Sequence, residues 1–162
     1  MTYQVNSFDN LPDNLNSDLV EAIDKLAKVA CHLSYLISVG SLSSLNLNKE
    51  TSTNSDGDQQ KALDVYADDA YLNEVKKSQI RFYASEEQDE VIDLGGDGRL
   101  ALAIDPLDGS SNIDTNVSIG SIFSIRNLSG RHLENNEKNE IFYAPGSLQI
   151  AAGYVIFGPQ TM

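Results

Sequence analysis

From Ser17 to Val39, apolar residues return every three or four positions, at Leu19, Ile23, Leu26, Ala30, Leu33 and Ile37. That period predicts an amphipathic helix with Ser17 or Asp18 as its N-cap and Gly40 as its stop. Residues 1–16 are polar and read as a flexible arm. Residues 41–58 turn to Ser, Asn, Thr and Asp and lose the period, which predicts a long loop of the kind that often serves as a mobile functional element. A second helix follows from about Gln59 to Lys77, with Leu63, Tyr66, Ala67, Ala70 and Tyr71 as its stripe and Asp64 on its border. Beyond it the pattern changes to short runs rich in branched and aromatic residues. Ile80–Ser85 reads as a strand. Val91–Leu94 and Arg99–Ile104 flank Gly95-Gly96-Asp97-Gly98 and predict a hairpin. Val117–Ile125 and Leu148–Phe157 are two further strands, and the polar stretch Arg126–Gly146 reads as an exposed loop. Helices first and a mostly antiparallel or mixed sheet afterwards make the fold class α+β.

The 162 residues suffice for one ordinary domain, and 41% hydrophobic residues supply its core. There are 24 acidic residues against 11 basic ones, a net charge of −13. Such an excess repels polyphosphates and anionic lipid surfaces, so neither nucleic acid nor membrane is an expected partner. No apolar run approaches the ~18 residues of a membrane span, and no basic segment followed by an apolar one opens the chain. The expectation is a soluble, cytoplasmic protein. The single cysteine, Cys31, rules out an intrachain disulfide and reads as a small buried hydrophobe. The acidity itself leaves two uses: a solvated surface, or carboxylates gathered around cations.

The second use gains weight at Asp105-Pro106-Leu107-Asp108-Gly109-Ser110-Ser111. The run follows a predicted strand directly, so Asp105 stands at its end. Pro106 begins a turn, Leu107 anchors it in the core, and Asp108 returns to the side of Asp105. Gly109-Ser110-Ser111 supplies successive N–H groups and two hydroxyls, which suit a phosphate oxygen. Carboxylates beside a bound phosphate repel it unless divalent cations lie between. Glu86-Glu87 ends the strand Ile80–Ser85 and can meet this turn if both strands share a sheet. Asp58 and Asp64 can join them from the loop exit and the second helix. The donors are all hard oxygens, which selects Mg²⁺ or Mn²⁺ over Zn²⁺ or Cu²⁺ and suits two-metal phosphoryl chemistry. Taken singly, each feature has an ordinary reading too. Glu86-Glu87 alone is more often a solvated turn, and Asp-x-x-Asp-Gly-Ser alone is as often a simple turn. His32 and His132 lack acidic or thiol partners in sequence reach and support no triad.

Read together, the motifs are more specific. The run from Ala103 to Asp114 closely resembles the signature of class I fructose-1,6-bisphosphatase, of the metal-dependent sugar/inositol phosphatase superfamily, and Gly120–Ile125 continues it. Gly57–Val65, Ser85-Glu86-Glu87 and Ala151–Tyr154 resemble the same family, in the same order. The resemblance implies a layered α/β/α sugar-phosphatase fold and Mg²⁺-dependent hydrolysis of fructose 1,6-bisphosphate to fructose 6-phosphate and phosphate. It implies metal binding by Glu86, Asp105, Asp108 and the Leu107 carbonyl. Glu87 would be both a metal ligand and, with Asp64, the activator of the attacking water. Asp58 would reach the metals when the loop closes, and Asp108, Gly109, Ser110 and Ser111 would hold the 1-phosphate. It further implies a homo-oligomer, usually a tetramer, with 17–162 as the amino-terminal metal-binding domain and 41–58 as its mobile loop.

The family's chains are about twice as long, and this one stops at Gly158–Met162, where a helix would be expected to begin. The remaining half of the family carries another acidic ligand and the residues for the sugar and its 6-phosphate. The family's AMP-inhibition residues do not match here, so AMP regulation is not carried over. Competing functions are a sedoheptulose-1,7-bisphosphatase or dual-specificity enzyme, an inositol-monophosphatase-like relative, and a non-catalytic fragment that binds metal or a partner. Asn112-Ile113-Asp114 favours the fructose bisphosphatase branch over the inositol one.

Overall fold

The computed structural model describes residues 13–39, 57–113, 115, 117–128, 138–158 and 161–162. Two helices are laid against one face of a five-stranded sheet. Helix α1 spans Asp13–Ser38 and buries Leu15, Leu19, Leu26, Ala30 and Leu33. It starts ahead of the anticipated cap, and residues 13–16 are helical instead of part of an arm. Asp18 has another task. Its carboxylate accepts hydrogen bonds from Arg99 Nε at 2.6 Å and Nη2 at 2.8 Å, a two-pronged pair that fastens α1 to the sheet. Gly40, the anticipated stop, lies outside the described residues, and α1 ends at Ser38. Cys31 is half-buried, more open than its apolar neighbours suggested. Helix α2, Gly57–Val75, buries Leu63, Ala67, Tyr71 and Val75, one residue per turn, against α1 and the sheet. No described helix is long and apolar enough to cross a membrane.

The strands are β1 (Ile80–Ser85), β2 (Ile92–Asp93), β3 (Leu100–Asp108), β4 (Ile119–Asn127) and β5 (Gln149–Phe157), in the order β2-β1-β3-β4-β5. The pair β1–β3 is parallel and the other three are antiparallel. The hairpin expected from Val91–Leu94 and Arg99–Ile104 is therefore absent, because β1 lies between the two segments and pairs with both. Its adjacent residues Phe82 and Tyr83 are both buried, one toward each face, as befits a central strand. The chain crosses the start of β1 through Gly95 and Gly96, at φ 77° and 73°, and then Gly98. A β-carbon on Gly98 would stand 2.8 Å from the Gln79 carbonyl and 3.1 Å from Arg81 Cβ. Gly98→Ala is expected to lower stability by about 2 kcal/mol, or roughly 4–8 °C in melting temperature. A thermal melt unchanged within 1 °C would show that the crossing is looser than this.

The sheet's second face is covered at one end by α3, Glu140–Tyr143, whose Ile141 is buried beside Phe82, Ala101 and Leu128. The stretch expected to be an exposed loop thus holds a helical turn with a buried residue, and its first two residues, Arg126 and Asn127, belong to β4. Met162 and Ile156 exchange backbone hydrogen bonds of 2.7 and 3.2 Å, which lays Met162 against the outer edge of β5.

Candidate active site

The parallel pairing of β1 and β3 decides where the acidic groups meet. Ser85 lies opposite Ile104, so the chain leaves β1 at Glu86 beside the position where β3 reaches Asp105. The Glu86 N–H donates to the Ile104 carbonyl at 3.1 Å and fixes that proximity. The Glu87 N–H donates to Ser85 Oγ at 3.2 Å and the Gln88 N–H to the Ser85 carbonyl at 3.3 Å, closing a turn that presents both glutamates to solvent.

Asp105-Pro106-Leu107-Asp108 is not the free turn that its sequence suggested. Strand β3 continues through it. Asp105 lies opposite Ile122 and Asp108 opposite Gly120, three steps along β3 against two along β4. One extra residue is a β-bulge, and it resets the alternation so that residues three apart can share a side. Pro106, without an N–H to contribute to a ladder, suits the irregular position. Its carbonyl accepts from Ser121 Oγ at 2.7 Å, and Ser121 accepts from the buried Tyr71 hydroxyl of α2 at 2.9 Å. Burial pushes the Tyr71 phenol up to about 12, so it stays a donor across the physiological range. Leu107 is buried in the main core as expected, and its N–H donates to Asp105 Oδ1 at 3.1 Å.

Next, Gly109 adopts φ +78° and a 3₁₀ turn runs over Ser110–Asn112. The bonds inside this turn use the N–H groups of Asn112 and Ile113, so those of Gly109, Ser110 and Ser111 are not consumed by the turn itself. Ser110 Oγ donates to Asp64 Oδ2 at 3.1 Å and links the turn to α2. The other oxygen, Asp64 Oδ1, is buried with no hydrogen-bond partner among the described residues.

These acids influence one another. The Asp64 carboxyl is raised above its ordinary range by burial first, against the Ser110 hydrogen bond, with repulsion from Glu86 adding to it. Asp105 is raised by burial, against the Leu107 N–H, and by repulsion from Asp108, Glu86 and Asp64. Glu87 is pushed up to about 7 by partial desolvation, a hydrogen bond with Glu86, and repulsion from Asp64, Glu86 and Asp68. Among the described residues, no three Asp, Glu, His or Cys side chains are gathered tightly enough to chelate an ion as they stand. The groups nevertheless fit a hard divalent cation. The donors are all oxygens, the charge is unbalanced, and Asp64 Oδ1 is an orphaned buried acceptor that a cation or its water would satisfy. A groove of about 500 Å³ on the sheet face away from α1 and α2, bordered by Ala84, Ala103, Ile122 and Ala152, opens onto Glu86 and Asp105.

Of the sequence-derived candidates, Asp64, Glu86, Glu87, Asp105, Leu107, Asp108, Gly109, Ser110 and Ser111 lie on these adjoining segments. The backbone of Asp58 lies in the first turn of α2, and its side chain is outside the described residues, as are residues 41–56 of the anticipated mobile loop and His132. His32 is exposed, with Nε2 2.8 Å from the Tyr66 hydroxyl. Sequence reasoning missed Asp68, Gln88, Tyr71 and Ser121. The available signal was on α2, where Asp64, Asp68 and Tyr71 follow at helical spacing and polar groups therefore fall beside the buried stripe.

Comparison with known proteins gives a consistent picture. The family model described as "Fructose-1-6-bisphosphatase, N-terminal domain" matches residues 4–162. A class 1 fructose-1,6-bisphosphatase of Cereibacter sphaeroides (strain ATCC 17025) is 48% identical over 149 residues, covering 92% of this chain and 43% of the relative. One from Rhodobacter capsulatus is 49% identical over 146 residues, covering 90% and 42%. The crystal structure of Leishmania major fructose-1,6-bisphosphatase in holo form superposes with a TM-score of 0.74 at 27% identity, covering 90% of this chain and 46% of that one. The chain thus spans less than half the length of these relatives.

Proposed function

The chain belongs to the fructose-1,6-bisphosphatase family, and from that premise we propose that it carries the metal-binding part of a class 1 enzyme hydrolysing the 1-phosphate of fructose 1,6-bisphosphate. The products are fructose 6-phosphate and phosphate. One observation supports this reading above the rest: carboxylates from α2, the end of β1 and the end of β3 are electrostatically coupled beside a serine turn. Glu86, Glu87, Asp105, Asp108 and the Leu107 carbonyl would hold Mg²⁺, with Mn²⁺ as a substitute and Asp58 reaching in when the 41–58 loop closes. Mg²⁺, when bound, would offset the charge of the transferring phosphoryl group and acidify a water. Glu87 would take a proton from the attacking water, and Asp64, held by Ser110, would orient it. The N–H groups of Gly109, Ser110 and Ser111 hold the phosphate oxygens, joined by the Ser111 hydroxyl, while the Ser110 hydroxyl gives its one proton to Asp64. A cytoplasmic homo-oligomer, tetrameric as its family implies and serving carbohydrate metabolism through gluconeogenesis, completes the proposal.

The test is phosphate release from fructose 1,6-bisphosphate by the chain, with Mg²⁺, with Mn²⁺ and with a chelator, and with sedoheptulose 1,7-bisphosphate in parallel. Metal-dependent release that the chelator stops is the expected result. Cation binding without release of phosphate would mean that the chain binds metal but is only half an enzyme, and absence of both cation binding and release would overturn the reading.

A further inference from the structure

We infer that Asp68 is a positioning residue for the glutamate turn, acting through Gln88 to set Glu87 against Asp64. The inference rests on the metal-dependent reading above and adds to it a residue that touches neither substrate nor cation. Asp68 lies four residues after Asp64 on α2 and is 1% exposed. Both its oxygens are used: Oδ1 accepts from the Tyr83 hydroxyl at 2.7 Å and Oδ2 from Gln88 Nε2 at 2.5 Å. Gln88 is the residue after Glu87. The turn's own bonds, from the Glu86, Glu87 and Gln88 N–H groups, tie it only to β1 and β3. Among the described hydrogen bonds, the one from Gln88 to Asp68 is what connects the turn to α2, the helix that carries Asp64.

The chemistry of the pair argues for a task beyond stability. Among the described residues no Lys, Arg or His pairs with Asp68, so its carboxylate is buried on neutral donors alone. A site needing only stability is as well served by an apolar side chain, whereas a buried polar group with both oxygens satisfied fixes one arrangement of its neighbours. Tyr83 holds one oxygen from the sheet and sets the carboxylate plane. Gln88 then finds its acceptor at one place, and the peptide that carries Glu87 is held with it. Groups around a metal that orient its ligands behave in this way.

The test is Mn²⁺ affinity of the chain, read from the electron paramagnetic resonance signal of the free ion, alongside thermal melts. Gln88→Ala and Asp68→Ala are expected to weaken Mn²⁺ binding about tenfold, the lower range for residues that orient ligands. Asp68→Asn should restore affinity to within about twofold, since the Gln88 amide can turn to accept from the new amide group. Tyr83→Phe frees the carboxylate plane but leaves Gln88 its acceptor, so it should lower the melting temperature and weaken Mn²⁺ binding less than Gln88→Ala does. Gln88 lies at the surface of the turn, so its variant carries the test even if Asp68→Ala fails to fold. Mn²⁺ binding by the unsubstituted chain with Gln88→Ala equal to it would overturn the positioning role alone. No Mn²⁺ binding by the unsubstituted chain would overturn the metal reading, and this inference with it.

Discussion

Replacing Glu87 with Gln is expected to lower metal-dependent phosphate release by about 10²–10⁴-fold, the usual contribution of a positioned general base. The substitution keeps shape and removes the charge with which Glu87 would take a proton and hold the cation. The fold should not register it. The turn is held by the N–H groups of residues 86, 87 and 88, and none of those bonds uses the Glu87 side chain, which is exposed. A surface change of this kind alters stability by about 0.5 kcal/mol or less, so the melting temperature should move by no more than about 2 °C. Steady-state phosphate release at saturating Mg²⁺, with a melt of the metal-free protein in chelator, separates the two effects. Activity within tenfold of the unsubstituted chain would mean that another group activates the water, and Asp64 would be next in line because it is bonded to Ser110 of the serine turn. A loss of both activity and fold would instead show that Glu87 is structural.

How much of this site could be read from the sequence depends on which physical signal carried each part. Branched and aromatic residues fixed Ile80–Ser85 to the residue, and periodicity placed both helices, because period reports which positions face a core. It does not report who lies beside whom. Hence Val91–Leu94 and Arg99–Ile104, flanking three glycines, looked like a hairpin, although β1 lies between them. The clue was the adjacent apolar pair Phe82-Tyr83, which needs cover on both faces and thus a central place in the sheet. The meeting of Glu86 with Asp105 was anticipated on the condition that both strands share a sheet, and their parallel pairing meets that condition. The bulge that brings Asp105 and Asp108 to one side was hidden, since a Pro in mid-run reads as a turn by local rules. Ile141 was hidden for the opposite reason. Its apolar run is too short to stand out from a polar stretch, yet long enough to close one end of the second sheet face. Asp68 was hidden because a single polar residue in an amphipathic helix looks solvated, and only the fold reveals Tyr83 and Gln88 over it.

Asp105→Asn should make the chain more stable in chelator and less stable in Mg²⁺, a reversal that a merely structural aspartate would not produce. Asn at 105 can still accept the Leu107 N–H, so the bulge keeps its internal bond. What it loses is a charge that burial and the repulsion of Asp108, Glu86 and Asp64 all oppose. The direction with pH follows from the raised folded-state value. Below about pH 4 the group is protonated in both folded and unfolded chains, and it costs nothing. As pH rises through the folded value, the folded chain must ionise a disfavoured carboxyl and stability falls. Glu87, pushed up to about 7, extends the same loss toward neutrality. In chelator at pH 8, the variant should therefore melt higher than the unsubstituted chain, and the gap should close near pH 4. Mg²⁺ acts in the other direction. An ion at a hundredfold excess over its Kd adds about 2.7 kcal/mol to a chain that binds it, or roughly 5–10 °C, and the variant should forgo most of that gain. Melts at pH 4, 6 and 8 with and without Mg²⁺ read both halves of the reversal. If Asp105→Asn is destabilising in chelator at pH 8, the carboxylate is held for the fold; if Mg²⁺ stabilises the variant as fully as the unsubstituted chain, Asp105 is not a ligand.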